Sequence, residues 1–370
     1  MRLVTIRPVT GDGTDPHGHR VAAVLPGGRL LPLGALAWVA PDRLAEEVEG
    51  LPLTTILAMD PKLSGIRETL ELADPEAIAE VSIDPETVRL APPVPRPGKI
   101  VGVGYNYLDH IREQRLERPV RPVLFSMFAS AVTGDGDPVR RPAGTHALDL
   151  EAELAVVIGR RATKVAPENG MRHVAGFTAA NDITARDWQG QAPALGPGEK
   201  GDGQWFRAKG SDTFLPLGPV LITTDELDDG RRLRIRSWRT PANGHDAGRD
   251  IQMQDGNTSD LLFDVAELVS IISQEVTLEP GDIIVTGTPS GVGVFRDPPV
   301  FLEPGDLVRV EVEGIGTLTN PITDEAGGAP EGSPAAAFMD FRAARVGAAL
   351  ERETDRSSAS LGKNRGGGRR

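Results

Sequence analysis

Residues Asp149 to Gly159 read DLEAELAVVIG. In an extended chain, Leu150, Ala152 and Leu154 fall on one face, and Glu151 and Glu153 on the other. Leu154–Ile158 continues as an apolar run that Gly159 closes, so the stretch predicts a strand leading out of an acidic start. Carboxylates at i and i+2 sit roughly 7 Å apart along a strand and can lean onto one cation. Alternating charge on a solvated strand face gives the same pattern, so the two readings stand side by side.

Outward from this stretch, residues 99 to 321 carry further short strands between Gly/Pro turns: Ile100–Val103, Val220–Thr223, Ile283–Val285 and Leu307–Val312. One helix is predicted from Ser259 to Ser273. Leu262, Val265, Leu268, Val269 and Ile272 recur at helical spacing there, and Ser259 or Asp260 stands as cap. Strands dominate without βαβ alternation, which predicts an α+β, β-rich fold with a mixed sheet rather than a doubly wound parallel one. Residues 1–90 read as a small N-terminal β-rich module, with Leu3–Ile6 and Val21–Leu25 in a hairpin and a helix at Ser64–Leu72. Four prolines in LAPPVPRPGK set a stiff linker at residues 91–98. The catalytic body spans 99–323. Residues 324–370 read as a C-terminal helix (Ala335–Glu353) followed by a disordered basic tail.

The 370 residues contain no cysteine, and their net charge is −13. Missing thiols exclude thiolate zinc sites, iron–sulfur clusters and cysteine nucleophiles. The acidic balance argues against nucleic-acid and anionic-membrane partners. No apolar run approaches the roughly 18 residues of a membrane span, and the N-terminus lacks a signal-peptide core, so a cytoplasmic protein is expected.

Asp182 follows a second apolar segment, Gly176 to Ala180. With Glu151 and Glu153 it would make an all-oxygen site, suited to Mg²⁺, Mn²⁺ or Ca²⁺; a turn aspartate is the plainer account of it. Gly102-Val103-Gly104 suggests a dinucleotide loop, but Tyr107 replaces the third glycine and that reading fails. His110 and Glu113 lie one helical turn apart, so the carboxylate can orient an imidazole base; a surface His–Glu pair is the alternative. In IIVTGTPSGVG, Gly287 and Thr288 offer a backbone and hydroxyl wall for a substrate carboxylate, or simply a tight turn.

Taken in order, five blocks resemble the fumarylacetoacetate hydrolase family. They are Gly104-Tyr105-Asn106-Tyr107 with His110 and Glu113; Asp149 to Leu154; Asn181-Asp182 with Arg186, Asp187 and Gln189; Lys209 to Phe214; and Pro280-Gly281-Asp282 with Thr286-Gly287-Thr288-Pro289. The resemblance implies the family's β-roll body and three metal ligands, Glu151, Glu153 and Asp182, for Mg²⁺ or Mn²⁺. It makes His110 and Glu113 a water-activating dyad on a lid and Lys209 a catalytic cation. Tyr105, Arg186, Gln189, Gly287 and Thr288 become substrate contacts, and a homodimer is implied. The expected activity is hydrolytic or decarboxylative cleavage of a C–C bond in a small 2-oxo or 1,3-diketo acid. Hydration or keto–enol tautomerisation, or a non-catalytic binding role, are the alternatives. Met127 stands where many members carry a lysine, and residues 190–204 are longer than the usual spacing.

Overall fold

The structure, a computed structural model, describes residues 1–8, 19–40, 47–190 and 203–325. The expected C-terminal helix and tail, and most of the 190–204 insertion, lie outside the described residues.

The first ninety residues contribute strands β1 (Arg2–Pro8), β2 (Arg20–Val24), β3 (Leu30–Pro32) and β4 (Val88–Ala91), with helices at Leu53–Met59, Ser64–Leu72 and Pro75–Val81. The body then gives β5 (Ile100–Gly104), β6 (Val123–Met127), β7 (Val132–Thr133), β8 (Val139–Arg141) and β9 (Leu148–Asp149). Next come β10 (Ala152–Ile158), β11 (Val174–Asn181), β12 (Thr184–Ala185) and β13 (Leu215–Thr223). Last are β14 (Arg234–Thr240), β15 (Ile251–Asn257), β16 (Ile283–Val285), β17 (Leu307–Val312) and β18 (Gly316–Asp324). The main sheet runs β3-β2-β1-β13-β11-β10-β16-β5-β6, with β4 on β1 and β7 on β13. A second sheet runs β15-β14-β17-β18-β8, and β9 pairs with β12. Most pairs are antiparallel, but β5 and β16 run parallel, so the fold is a mixed-sheet α+β body.

Strand β10 is the centre of this arrangement, and every residue in it is buried. Its period of two sorts the side chains into two cores. Ala155 and Val157 enter the apolar cluster shared with the N-terminal strands and helices. Leu154, Val156 and Ile158 enter the cluster beneath the second sheet, with Leu268, Val269 and Ile272. Glu151 and Glu153 share parity with Ala155, and they are 5% and 2% exposed. The solvated-face reading of this stretch is therefore corrected: both faces of the strand are covered.

Two further expectations change. The helix begins at Val265, not Ser259, because Asp264 caps it reciprocally with Glu267 in a capping box. Residues Thr258–Asp260 form a separate 3₁₀ turn capped by Asn257. The proline stretch, expected as a stiff linker, packs into the fold: Pro92, Pro93 and Val94 are buried, and Thr5 Oγ1 donates to the Pro93 carbonyl at 2.8 Å. Strand pairing also crosses this stretch, since β1 joins β13 through Arg2↔Ile222 and Leu3↔Leu221.

Candidate active site

The antiparallel register Ala152↔Asn181 brings the end of β11 beside the start of β10. Asp182 N then donates to Glu151 O at 2.9 Å, and Asn181 Oδ1 accepts from Glu151 N at 3.0 Å. The result is a buried group of Glu151, Glu153 and Asp182, each offering an oxygen within 4.8 Å of the others. That is tighter than strand spacing alone predicts, because Glu151 precedes β10 and Asp182 comes from another segment.

Two buried cations face these acids. Lys209, on the helix Trp205–Gly210, places Nζ 2.8 Å from Glu151 Oε2 and 2.6 Å from Asp182 Oδ2. Arg186 reaches Glu151 Oε1 at 2.7 Å and Asp149 Oδ2 at 2.9 Å. It also donates to Gln189 Oε1 at 2.9 Å. Asp149 is fixed in turn by the N–H groups of Gly293 and Val294, so it positions Arg186 and is the acid that sequence reasoning passed over. Its signal was an aspartate opening an apolar strand.

Burial pushes the Glu151 carboxyl up, but Lys209 and Arg186 outweigh it and hold the group down at about 2. Burial and the neighbouring Glu151 raise Asp182 to about 7, against the pull of Lys209. Burial raises Glu153 well above the ordinary range, with Asp182 and Glu151 adding to the effect. Lys209 stays charged: burial lowers its affinity for the proton, yet Asp182 and Glu151 raise it further.

These features fit a hard divalent cation. Four buried carboxylates (Asp149, Glu151, Glu153 and Asp182) face two cations, leaving an excess of two negative charges when all are ionised. Asp182 Oδ1 is buried without a hydrogen-bond partner, the kind of orphan a metal satisfies. The donors are all oxygen, as Mg²⁺ or Mn²⁺ requires.

The His–Glu pair sits on the helix Leu108–Glu113. His110 Nδ1 lies 2.9 Å from Glu113 Oε2, whose other oxygen accepts from Gly291 N at 2.9 Å. Asp109 accepts from both Ser290 N and Ser290 Oγ. The helix is thus latched to the turn after β16, and the surface-pair reading fails because His110 is buried.

The same turn reaches the acids. Gly287 has φ +96°, and its N–H donates to Glu153 Oε2 at 2.7 Å. That N–H is therefore taken by the protein, and the reading of Gly287 as a wall for a substrate carboxylate is corrected. Thr288 Oγ1 donates to the Ala152 carbonyl at 3.0 Å, and its side chain lines the cavity.

A small cavity of about 30 Å³ joins these groups. His110, Gln114, Glu151, Glu153, Asp182, Arg186, Gln189, Lys209 and Thr288 form its polar wall. Tyr105, Phe125 and Trp205 form an aromatic wall, with Trp205 edge-on to both other rings. Met127 is not part of the lining: it packs in the apolar cluster beside its strand partner Ile100. Sequence reasoning missed Phe125, Trp205 and Gln114. Only Gln114 had a signal, its i,i+4 spacing from His110.

A mixed-sheet α+β body with a buried Glu-Glu-Asp group, a lysine and a latched His–Glu pair defines an enzyme class that handles small molecules. The fumarylacetoacetate (FAA) hydrolase C-terminal profile matches residues 99–323, and the chain belongs to the fumarylacetoacetate hydrolase family. It is 39% identical over 303 residues to the oxaloacetate tautomerase FAHD2A, mitochondrial, of Homo sapiens, covering 80% of this chain and 91% of that one. To its Bos taurus namesake it is 47% identical over 230 residues, covering 62% and 68%. Among solved structures, a fumarylacetoacetate hydrolase from Exiguobacterium antarcticum superposes with TM-score 0.67 and 30% identity, covering 88% of this chain and all of that one. A probable 2-hydroxyhepta-2,4-diene-1,7-dioate isomerase from Mycobacterium abscessus gives 0.65 and 29% with the same coverage.

Proposed function

We propose that this enzyme interconverts the keto and enol forms of a small 2-oxo acid of the oxaloacetate type, with Mg²⁺ or Mn²⁺ held by Glu151, Glu153 and Asp182. One observation carries the proposal: His110 faces the same small cavity as the carboxylate group, with its Nδ1 held by Glu113. Glu113 can only accept, so the neutral ring carries its proton on Nδ1 and its lone pair on Nε2. The names of the tautomerase relatives support the choice of reaction.

When bound, the cation would act as a Lewis acid on the 2-oxo group and make C3–H more acidic. Arg186, held by Asp149, and Gln189 orient the substrate carboxylate. His110 Nε2 takes the proton from C3 in the keto-to-enol direction and returns it in the other, while Glu113 keeps the ring in place. Lys209 offsets negative charge gathering at the C2 oxygen, which gains its proton from solvent. Tyr105, Phe125 and Trp205 flank the substrate on the aromatic side of the cavity.

A second reading, C–C cleavage of an acylpyruvate or decarboxylation of oxaloacetate, is favoured by the same His110–Glu113 pair, which could take a proton from water instead. One assay separates them. Oxaloacetate enol absorbance is followed with Mg²⁺, with Mn²⁺ and with chelator, beside carbon dioxide release and acylpyruvate hydrolysis. Faster relaxation without product loss, abolished by chelator and by His110→Ala, is the expected result. Cleavage at a comparable rate would move the assignment to the second reading, and metal-independent activity would overturn both.

A further inference from the structure

Gln114 stands directly after the helix that carries the His–Glu pair and appears in none of the motifs above. Its side chain folds back over that helix. Nε2 of its carboxamide lies 2.8 Å from Nε2 of His110, and its backbone N–H bonds the His110 carbonyl at 3.2 Å. Both ring nitrogens of His110 are therefore held from one helical turn: Nδ1 by Glu113 at i+3 and Nε2 by Gln114 at i+4. Phe295 lies against the ring, with centroids 5.8 Å apart. Gln114 itself lines the cavity.

We infer that Gln114 is the positioning residue that holds the reacting nitrogen of His110 and serves both of its protonation states. The inference rests on His110 acting as proposed above. Glu113 accepts from Nδ1–H whether the ring is neutral or charged, so it cannot distinguish the two states. Gln114 can, because a carboxamide carries a donor and an acceptor at nearly the same reach. To the neutral ring it presents its NH₂ group, which fills the Nε2 lone pair. Once Nε2 holds a proton, the amide turns end for end and its oxygen accepts that proton. The ring need not rotate, and the proton stays aimed at the cavity. Substrate displaces the amide from Nε2 for the transfer itself, and the amide returns afterwards. A hydrophobic neighbour would leave Nε2 free to tilt; a carboxylate there would suit only the charged ring.

The test combines kinetics with ¹⁵N NMR of the histidine ring in full-length enzyme. Gln114→Met keeps the length and removes both functions. It should lower kcat about tenfold, because the ring is left free to tilt out of line between proton transfers, with KM within about twofold. The His110 Nε2 resonance should also move toward that of a free lone pair. Gln114→Glu accepts but cannot donate, so at neutral pH the His110 resonances should show both nitrogens protonated, and kcat should fall although a hydrogen bond is kept. Thermal unfolding shows whether each variant is folded; a variant that does not fold is replaced by Gln114→Leu under the same criteria. Unchanged kcat and unchanged ring resonances in Gln114→Met would overturn the inference. His110→Ala run in parallel keeps the two questions apart. If it retains full activity, His110 is not the base and the proposed function fails. If it is inactive while Gln114→Met is normal, only the role of Gln114 fails.

Discussion

At the residue scale, the site is a charge problem whose solution depends on Lys209. Lys209 is 2% exposed, and its ammonium is shared by Glu151 and Asp182. Lys209→Met keeps the volume and removes the charge, leaving Asp182 buried without its cation and Glu151 with Arg186 alone. In chelator, this should destabilise the fold by about 3–5 kcal/mol in urea unfolding. Saturating Mn²⁺ should restore much of the loss in the variant; equal stability of variant and parent in chelator would refute the arrangement. Asp182 supplies a second prediction. Its folded value of about 7 lies above its ordinary 3.8, so in the metal-free protein the folded state binds more protons than the unfolded one between those values. Stability from Asp182 is then present below about pH 4 and lost as pH rises through about 7. Glu151, held at about 2 against an ordinary 4.5, works the other way: its contribution is present above about pH 4.5 and lost as pH falls through about 2. A metal needs the ionised carboxylate, so its binding must displace the Asp182 proton. Mn²⁺ affinity should therefore strengthen between about pH 6 and about pH 8, with proton release seen as a buffer-dependent heat in calorimetry. An affinity flat over that range would contradict the raised value.

At the element scale, the turn after β16 connects the acids to the His–Glu helix. Gly287 holds φ +96°, and a Cβ there would meet Val103 O and Asn106 Cβ at 3.0 Å. Asn106 cannot yield easily, because its side chain bonds the Phe263 and Thr286 carbonyls and the Phe263 N–H. Gly287→Ala should therefore strain the turn by about 1–3 kcal/mol. The shift should also swing the N–H away from Glu153, weakening Mn²⁺ binding about tenfold by calorimetry. Normal binding with lowered melting temperature would separate the turn from the site. The turn also marks what was legible in the sequence. Strands and the Glu-Glu pair were readable because period two and apolar runs are local signals. Asp264 was not read as a cap, because Ser259 and Asp260 offered the same chemistry earlier and only the turn at Thr258–Asp260 rules them out. Gly287 looked free for substrate because nothing local shows that β10, more than 130 residues away, places Glu153 beneath it. Lys209 and Arg186 were placed by resemblance to a family, not by spacing, since their partners come from separate strands.

At the scale of the whole molecule, the N-terminal strands and the body share one sheet and one core. β1 lies between β2 and β13. Leu3, Val21, Leu31 and Leu57 are in the same apolar cluster as Ala155, Val157, Leu217 and Val285. The N-terminal amine also reaches Thr223 Oγ1 at 2.6 Å and Glu226 Oε1 at 2.6 Å, closing the edge of β13. Composition and prolines suggested a boundary at 91–98, but they carry no information about which strands pair across it. The distinction matters for the site, because Ala155 and Val157 lie on the face of β10 that continues from Glu153. Removing residues 1–98 would bare that face and leave β13 with an unpaired edge, a surface that favours association over folding. A chain starting at Lys99 should therefore lose cooperative unfolding, bind a hydrophobic dye, and fail to hold Mn²⁺ even though all three acids are present. Supplying residues 1–98 as a separate chain should restore both cooperativity and metal binding if strand pairing is the cause. A shortened chain that unfolds cooperatively and binds Mn²⁺ as the full protein does would show that the body closes its own core, making the shared sheet incidental to the site.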